Sequence, residues 1–306
     1  MSVWSHEPLV RFGCFAGILA AMALWEFLAP RRAWTIRKTT RWFSNLSLVA
    51  LNTLAIRLVL PLGAVGVAII AQERGWGLFN NVSLPGWLAV VLAVVALDLA
   101  IYLQHVMFHA VPALWRLHMV HHADLDFDVT TGVRFHTVEI ILSMGIKLAT
   151  VILLGASALA VLLFEIVLST TSLFSHGNVR LPAWLDRVLR LFLVTPEMHR
   201  VHHSVHPHET NSNFGFNLPW WDYLFGTYRA QPTDGHERMT IGLTQFRDVW
   251  VDRLHWMLAL PFLGRLGNYP VNRGETETLQ PRSRGFPHSG VGPSLTTGDT
   301  APLSSR

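Results

Sequence analysis

Cysteine is nearly absent from this 306-residue chain. With Cys14 alone there is no intramolecular disulfide, no cysteine-held zinc and no iron–sulfur cluster. Charge is scarce as well: 14 % of residues are Asp, Glu, Lys or Arg, against about 25 % in an average soluble domain. That composition excludes a disordered chain and a charged coiled coil. No Gly-x-Gly-x-x-Gly stretch occurs, so the fingerprint of a nicotinamide or flavin site is missing. The net charge is only +4, and much of it sits in one loop flanking apolar segments, which speaks for orientation in a bilayer rather than for nucleic acid.

Apolar residues are abundant, at 51 %, with a mean hydropathy of +0.34. They fall in blocks, and a membrane-crossing helix needs about 20 of them. The spans expected are 9–28, one within 42–72 that must tilt, kink near Pro61 or lie partly in the interface, 86–102, and a block from 138 to 174 split near Gly155 into a hairpin. The first resembles a signal peptide, but no small-residue cleavage site follows, so it reads as an uncleaved helix. Arg31, Arg32, Arg37, Lys38 and Arg41 stand between the first two spans with no acid among them, which places that loop in the cytoplasm. Parity then puts 105–136 and 176–230 on the same cytoplasmic face. The expected fold is all-α: a bundle of four to five spanning helices with one hairpin, under a cytoplasmic histidine-rich helical cap. The expected division is an N-terminal transmembrane region 1–85, a catalytic domain 86–230, an amphipathic segment 231–267 and a disordered tail 268–306.

Histidine is the residue in excess. Twelve of the 16 lie between His105 and His208, where even scattering would put about five. They are ordered: His105-Val-Met-Phe-His109, then His118-Met-Val-His121-His122, then His176, then His199-Arg-Val-His202-His203. Residues three and four apart share a helix face, so each box presents several imidazoles to one side. Clustered imidazoles repel when protonated and are costly when buried unpaired; a metal removes both problems. Eight histidines in three boxes exceed the needs of one ion, so two ions are implied. His6, His236, His255 and His288 read as ordinary, and His206 and His208 as surface residues.

These boxes resemble those of the fatty acid hydroxylase family, also called the sterol desaturase superfamily. Asp98-x-x-x-Tyr102-x-x-His105, Arg134-Phe-His136, Ser175-His176-Gly-Asn178, Thr195-Pro196, Glu209-Thr-Asn-Ser-Asn213 and Trp221-Asp222 are similar to its bacterial members, as are Arg41-Trp42 and Asn45 more weakly. The resemblance implies a di-iron centre held by His105, His109, His118, His121, His122, His176, His199, His202 and His203. It implies O2-dependent hydroxylation or desaturation of a lipid C–H bond, sterol, fatty acyl or related, with O2 as co-substrate. Some members carry a further ligand where this chain has Arg180, so the centre has nine protein ligands, or His136 or a water supplies the tenth; His136 and Asp98 are the candidates for a tenth ligand or for a residue that orients one. Asp98, inside a span, is expected to accept an N–H from a ligating histidine. Lys147 reads as a packing or snorkelling residue, Glu165 is left open, and Arg200, Asn213 and Asp222 are expected to brace the last box or the donor surface.

The implied reaction consumes two electrons per O2, and the chain has no module to supply them. An external donor, a ferredoxin or cytochrome b5-like protein with its reductase, is expected on a basic rim of Arg116, Arg180, Arg187, Arg190 and Arg200. The expected location is the bacterial inner membrane with the site facing the cytoplasm. The alternative is a membrane metal- or haem-binding protein without oxygenase activity. Haem would need histidine pairs on facing spans, and a transporter would need polar residues lining several spans. A metal-dependent hydrolase, with Glu197 as base, would have histidines in excess.

Overall fold

Long apolar stretches with few breakers become long helices. A computed structural model describes residues 6–263 and 266–271. Helix α1 is Glu7–Leu28, with Pro8 in its first turn, and α2 is Lys38–Val59. The chain breaks at Leu60-Pro61-Leu62 and resumes as α3, Gly63–Glu73, because a proline lacks the N–H a helix interior needs and clashes with the preceding turn. Helix α4 is Gly86–Ala110 and α5 is Pro112–His122. Val111 between them is extended (φ −96°, ψ 117°), as the residue before a proline prefers, and Pro112 opens the new helix. Helices α6 (Thr137–Leu154) and α7 (Ala158–Ser175) form the expected hairpin. Its turn requires glycine: Gly155 has φ +64°, and a Cβ there would lie 2.7 Å from both the Trp76 carbonyl and the Asn80 amide. Ser157 caps α7 by accepting from the Ala160 N–H. Short helices α8 (Ala183–Leu189), α9 (Pro196–His202), α10 (Pro207–Thr210) and α11 (Trp220–Phe225) follow. Among the described residues there is no strand, only isolated bridges.

Among the described residues, five segments are long and apolar enough to cross a membrane: Glu7–Leu28, Lys38–Asn80, Gly86–Ala110, Thr137–Leu154 and Ala158–Ser175. Small residues on α3 (Ala64, Ala68) share one core with Ala93 and Leu97 of α4 and Val161 and Phe164 of α7. Phe12, Phe27, Leu58, Trp87 and Leu153 point outward, exposed, which suits lipid and not water. The chain is an integral membrane protein. The second span is subtler than its length suggests. Asn52 donates to the Phe135 carbonyl (2.8 Å) and accepts from the Thr137 hydroxyl (2.7 Å), at the first turn of α6. The first turns of α2 therefore lie along the histidine side, and its last turns together with α3 make the crossing.

A second core lies on that side: Trp115, Met119, Phe246, Val251, Met257, Leu260 and Tyr269. The amphipathic stretch 246–263 packs on the body, but not as one helix. It is broken into a 3-10 turn at Val249–Asp252, a helix at Leu254–Ala259 and a 3-10 turn at Leu260–Phe262. Asp252 is drawn in to Arg134 (2.8 Å) and Pro261 interrupts the rest. Tyr269, placed within the expected disordered tail, is fully buried, and its hydroxyl donates to the Val205 carbonyl at 2.8 Å. The tail expected beyond 271 lies outside the described residues.

A buried ion-pair network that the sequence did not announce ties these parts together. Arg41 grips Asp124 with two bonds (2.7 and 2.9 Å) and Asp128 with a third (2.8 Å). Trp42 also donates to Asp128, Asn45 to Thr130, and Thr35 and Ile36 to Asp126. Burial alone would raise the Asp124 carboxyl; the Arg41 and Arg134 guanidiniums outweigh it and hold it down at about 2. The loop after α5 is thus fixed by charge, with no apolar alternative for its three aspartates.

Candidate metal centre

At the end of α4, His105 and His109 stand one turn apart on one face. The sharp Val111-Pro112 corner folds α5 back over them. With about 100° per residue, His118 and His122 share a face of α5 while His121 points to its flank. Helix α9 is started by Thr195, whose hydroxyl accepts from the Met198 N–H, with Pro196 in its first turn. His199, His202 and the C-cap His203 follow. His176 caps the end of α7.

All nine come together, in two groups. His105, His109, His118, His122 and His202 form one; His121, His176, His199 and His203 form the other. Within each group the facing ring nitrogens lie within 4.8 Å of one another, and every residue is buried. The two H-x-x-H-H boxes are divided in opposite senses: the outer pair of the first box serves the first group, the outer pair of the second box serves the second, and each middle histidine crosses over.

Hydrogen bonds fix which nitrogens face inward. His105 Nδ1 donates to the Phe214 carbonyl (2.7 Å), His202 Nδ1 to the Ser212 carbonyl (2.6 Å) and His118 Nδ1 to Glu139 (2.6 Å). Their Nε2 atoms therefore carry lone pairs in the neutral ring. Yet His105 Nε2 lies 3.1 Å from the Nε2 of His118 and 3.1 Å from that of His202. Lone pairs facing at this distance repel unless a cation lies between them. In the second group His176 Nδ1 donates to the Ser172 carbonyl (2.7 Å), and its Nε2 stands 3.0 Å from His199 and 3.3 Å from His121. Two imidazoles on one ion at bond lengths of about 2.1 Å and right angles have their nitrogens about 3 Å apart, so these separations fit. His109 Nε2 and His122 Nε2 are buried without a hydrogen-bond partner, as suits ligand atoms; both nitrogens of His203 are likewise unpartnered, and one of them can ligate.

The protonation state agrees. Burial pushes His118 and His176 down to about 3. Burial and then the neighbouring imidazoles push His121, His122, His199, His202 and His203 well below the ordinary range. Neutral imidazole is the form that binds metal. The shell is dry and aromatic: Phe135 stacks on His121 (4.5 Å, 9°), Phe127 on His176, and Phe214 and Phe216 meet His105 edge-on. Ring centroids of paired histidines are 4.3–5.5 Å apart, too close for a porphyrin to lie between them.

Several expected roles are different in the structure. His136 is in neither group; it caps α6, with Nδ1 accepting from the Val138 N–H and Nε2 donating to the Leu258 carbonyl. Asp98 accepts no proton from a histidine. It accepts from the Trp221 indole (2.8 Å) and the Leu218 N–H, tying α4 to the loop whose Phe214 carbonyl orients His105. The orienting carboxylate is Glu139. The sequence shows it as an acid one turn into an apolar span, which was the available signal. Asn211, also unforeseen, accepts from His109 Nδ1 (3.1 Å) and donates to the Tyr269 carbonyl (2.7 Å). Lys147 and Glu165 prove to be partners, 2.5 Å apart, with Arg11 on the other carboxylate oxygen.

Of the three expected braces, Asn213 and Arg200 contact α9, while Asp222 holds the 214–215 backbone. Asn213, in the left-handed region at φ 51°, donates to the Met198 carbonyl, and Asp222 accepts from the Phe214 and Gly215 N–H groups. Arg200 is fully buried, holding Glu197 and the Gly177 and Val179 carbonyls, and Arg190 is buried against Asp186. Neither can belong to a docking rim; Arg180 and Arg187 are exposed and Arg116 is half-buried.

Comparison with known proteins fits this centre. Residues 90–227 match the model of the fatty acid hydroxylase family. The chain is 28 % identical over 223 residues to an ornithine lipid hydroxylase of Rhizobium tropici, covering 71 % of this chain and 66 % of that protein. It is 28 % identical over 189 residues to an alkylglycerol monooxygenase of Xenopus tropicalis (58 % of this chain, 39 % of that one). A human cholesterol 25-hydroxylase is 28 % identical over 143 residues, 46 % of this chain and 51 % of its own. The chain thus spans two thirds or less of the length of these relatives. No solved structure matches it. Residues 90–227, which hold all nine histidines, are thus the part of the chain that matches the fatty acid hydroxylase family.

Proposed function

We propose that this protein is an O2-dependent di-iron membrane oxidoreductase that hydroxylates or desaturates a C–H bond of a lipid, whether sterol, fatty acyl or a related chain. The observation that carries the reading is the pair of buried histidine groups with lone pairs facing at 3.0–3.3 Å, in a chain related to enzymes named for lipid hydroxylation. The ligands are His105, His109, His118, His122 and His202 for one ion and His121, His176, His199 and His203 for the other. Bound iron supplies the reductive activation of O2 that attack on an unactivated C–H bond requires.

The chain's own groups set the conditions. The Phe214, Ser212 and Ser172 carbonyls and Glu139 hold the Nδ1 protons, so Nε2 is free to ligate. Phe127, Phe135, Phe214 and Phe216 exclude water. Hydroxylation consumes O2, two electrons and two protons and yields one alcohol and one water; desaturation yields a double bond and two waters. The electrons come from an external ferredoxin or cytochrome b5-like donor and its reductase. The basic 31–41 loop orients the site to the cytoplasm, in a bacterial inner membrane.

Two measurements test this together. Protein made in iron-replete cells is expected to hold two irons per chain, and lipids of a deletion strain are expected to lack an oxidised species present in the wild type. Iron near zero with all boxes intact, or an unchanged lipid profile by mass spectrometry, would refute it.

A further inference from the structure

Helix α8 is built inside out for a soluble surface. Trp184, Val188 and Leu191 recur at i, i+4 and i+7, and the first and last are 68 % and 56 % exposed. Asp186 turns inward instead: it accepts from the Thr195 hydroxyl (2.6 Å) and pairs with Arg190 (2.8 Å), which is buried, leaving Arg187 as the exposed charge of the helix. Phe192, just beyond, is also exposed. Beside it α11 exposes Trp220, Leu224 and Phe225. The two elements are joined: the Trp220 indole donates to the Leu191 carbonyl (2.6 Å) and the Tyr223 hydroxyl to the Arg190 carbonyl. They form one apolar aromatic face.

That face continues the lipid-facing surface. Phe225 stacks on Tyr102 of α4 (5.5 Å, 16°), and the Tyr102 and Thr227 hydroxyls are 2.9 Å apart. Leu103, next in α4, is 50 % exposed on a membrane-crossing helix. Tyr102 stands about 24 Å along α4 from Gly86 at 1.5 Å per residue, near the end of a hydrocarbon layer about 30 Å thick. Trp and Tyr concentrate at that boundary. Arg187 is exposed one turn from Trp184, where a guanidinium can lie over an apolar stem and reach a phosphate.

We propose that α8, the turn after it and α11 form a platform sunk into the leaflet on the histidine side, with Arg187 at the phosphate level and phospholipid as the occupant. The expected docking rim for an electron donor is thereby displaced: this face belongs to the bilayer. The inference does not depend on the proposed oxidation.

The test uses the full chain in liposomes of phosphatidylcholine and phosphatidylglycerol. Cys14→Ser removes the single cysteine; Trp184→Cys, Phe192→Cys and Leu224→Cys each then carry one nitroxide. Val91→Cys, exposed on α4, is the bilayer reference, and Asp248→Cys, exposed beyond the platform, the aqueous one. Collision with O2 relative to a water-soluble nickel chelate is read by power saturation. The platform labels are expected to show a ratio several-fold above Asp248→Cys and close to Val91→Cys. A ratio equal to that of Asp248→Cys would overturn the proposal and leave the face to a protein partner in water. Labels shielded from both reagents would overturn it in favour of a protein interface. Three positions keep the answer available if one variant misfolds.

Discussion

Glu139→Gln separates the role of charge from that of shape. Glu139 Oε1 accepts from His118 Nδ1 at 2.6 Å, while Oε2 is buried without a partner. The amide keeps the acceptor but cannot carry the charge that a carboxylate takes up beside a bound cation. A hydrogen bond to a charged group contributes about 1.5–3 kcal/mol, a neutral one about 0.5–1.5, so about 1–1.5 kcal/mol is lost. The new NH2 replaces an already unpartnered oxygen with an unsatisfied donor, costing about 1–3 kcal/mol more unless it rotates away. At 1.4 kcal/mol per factor of ten, affinity at the five-histidine group should fall roughly tenfold to a hundredfold, the range typical for residues that orient ligands. The assay is iron retention against increasing chelator, with melting temperature as a check on folding. The expected curve has two steps, one iron released early and the second, at His121, His176, His199 and His203, at the wild-type chelator concentration. Wild-type retention of both irons would refute the role of Glu139. Parallel early loss of both, in a protein that still melts normally, would refute the assignment of His118 to one group only.

Arg41→Met leaves Asp128 buried without its cation and Asp124 with Arg134 alone, 3.8 Å away, and should cost about 3–5 kcal/mol, read as a lowered melting temperature in detergent. Acid should destabilise the metal-free protein: His118 and His176 are held at about 3 against an ordinary imidazole value of 6.5. Above pH 6.5 folded and unfolded states both hold these rings neutral; below it the unfolded state gains protons the folded state refuses, so stability is lost as pH falls from 6.5 towards 3. A melting temperature flat between pH 7.5 and 5 would contradict this. Reporter fusions after residues 40, 80, 125 and 205 should read cytoplasmic, outside, cytoplasmic, cytoplasmic; an outside signal at 125 would break the shared-face arrangement.

The histidines were legible because a metal site needs side chains of one type at helix spacing, and that leaves letters in the sequence. The hairpin was legible because Gly155 and Ser157 are needed where the turn is made. The partners that orient the rings were mostly illegible, because Phe214, Ser212 and Ser172 act through their carbonyls, which every residue possesses. Asp98 was misjudged for a related reason: its partners, Leu218 and Trp221, lie some 120 residues away, and spacing says nothing about such distances. Arg190 and Arg200 look like surface charge in the sequence, and only the fold shows the Asp186 and Glu197 carboxylates that let them be buried.

The crossing-over of the histidine boxes has a consequence for biosynthesis. Each group draws on both ends of the stretch 105–203: the first needs His105 and His202, the second His121 and His203. Translation at about 5–20 residues per second separates the first ligand from the last by roughly 5–20 seconds. Neither set exists as a set during that interval, although α4, α6 and α7 can already be in the bilayer. The strap at 266–271, with the Val271 N–H on the His109 carbonyl and Tyr269 stacked on Trp115, closes later still. Metal loading of the proposed centre is therefore a post-insertion event, and a nascent chain stalled before residue 199 should lack both complete ligand sets.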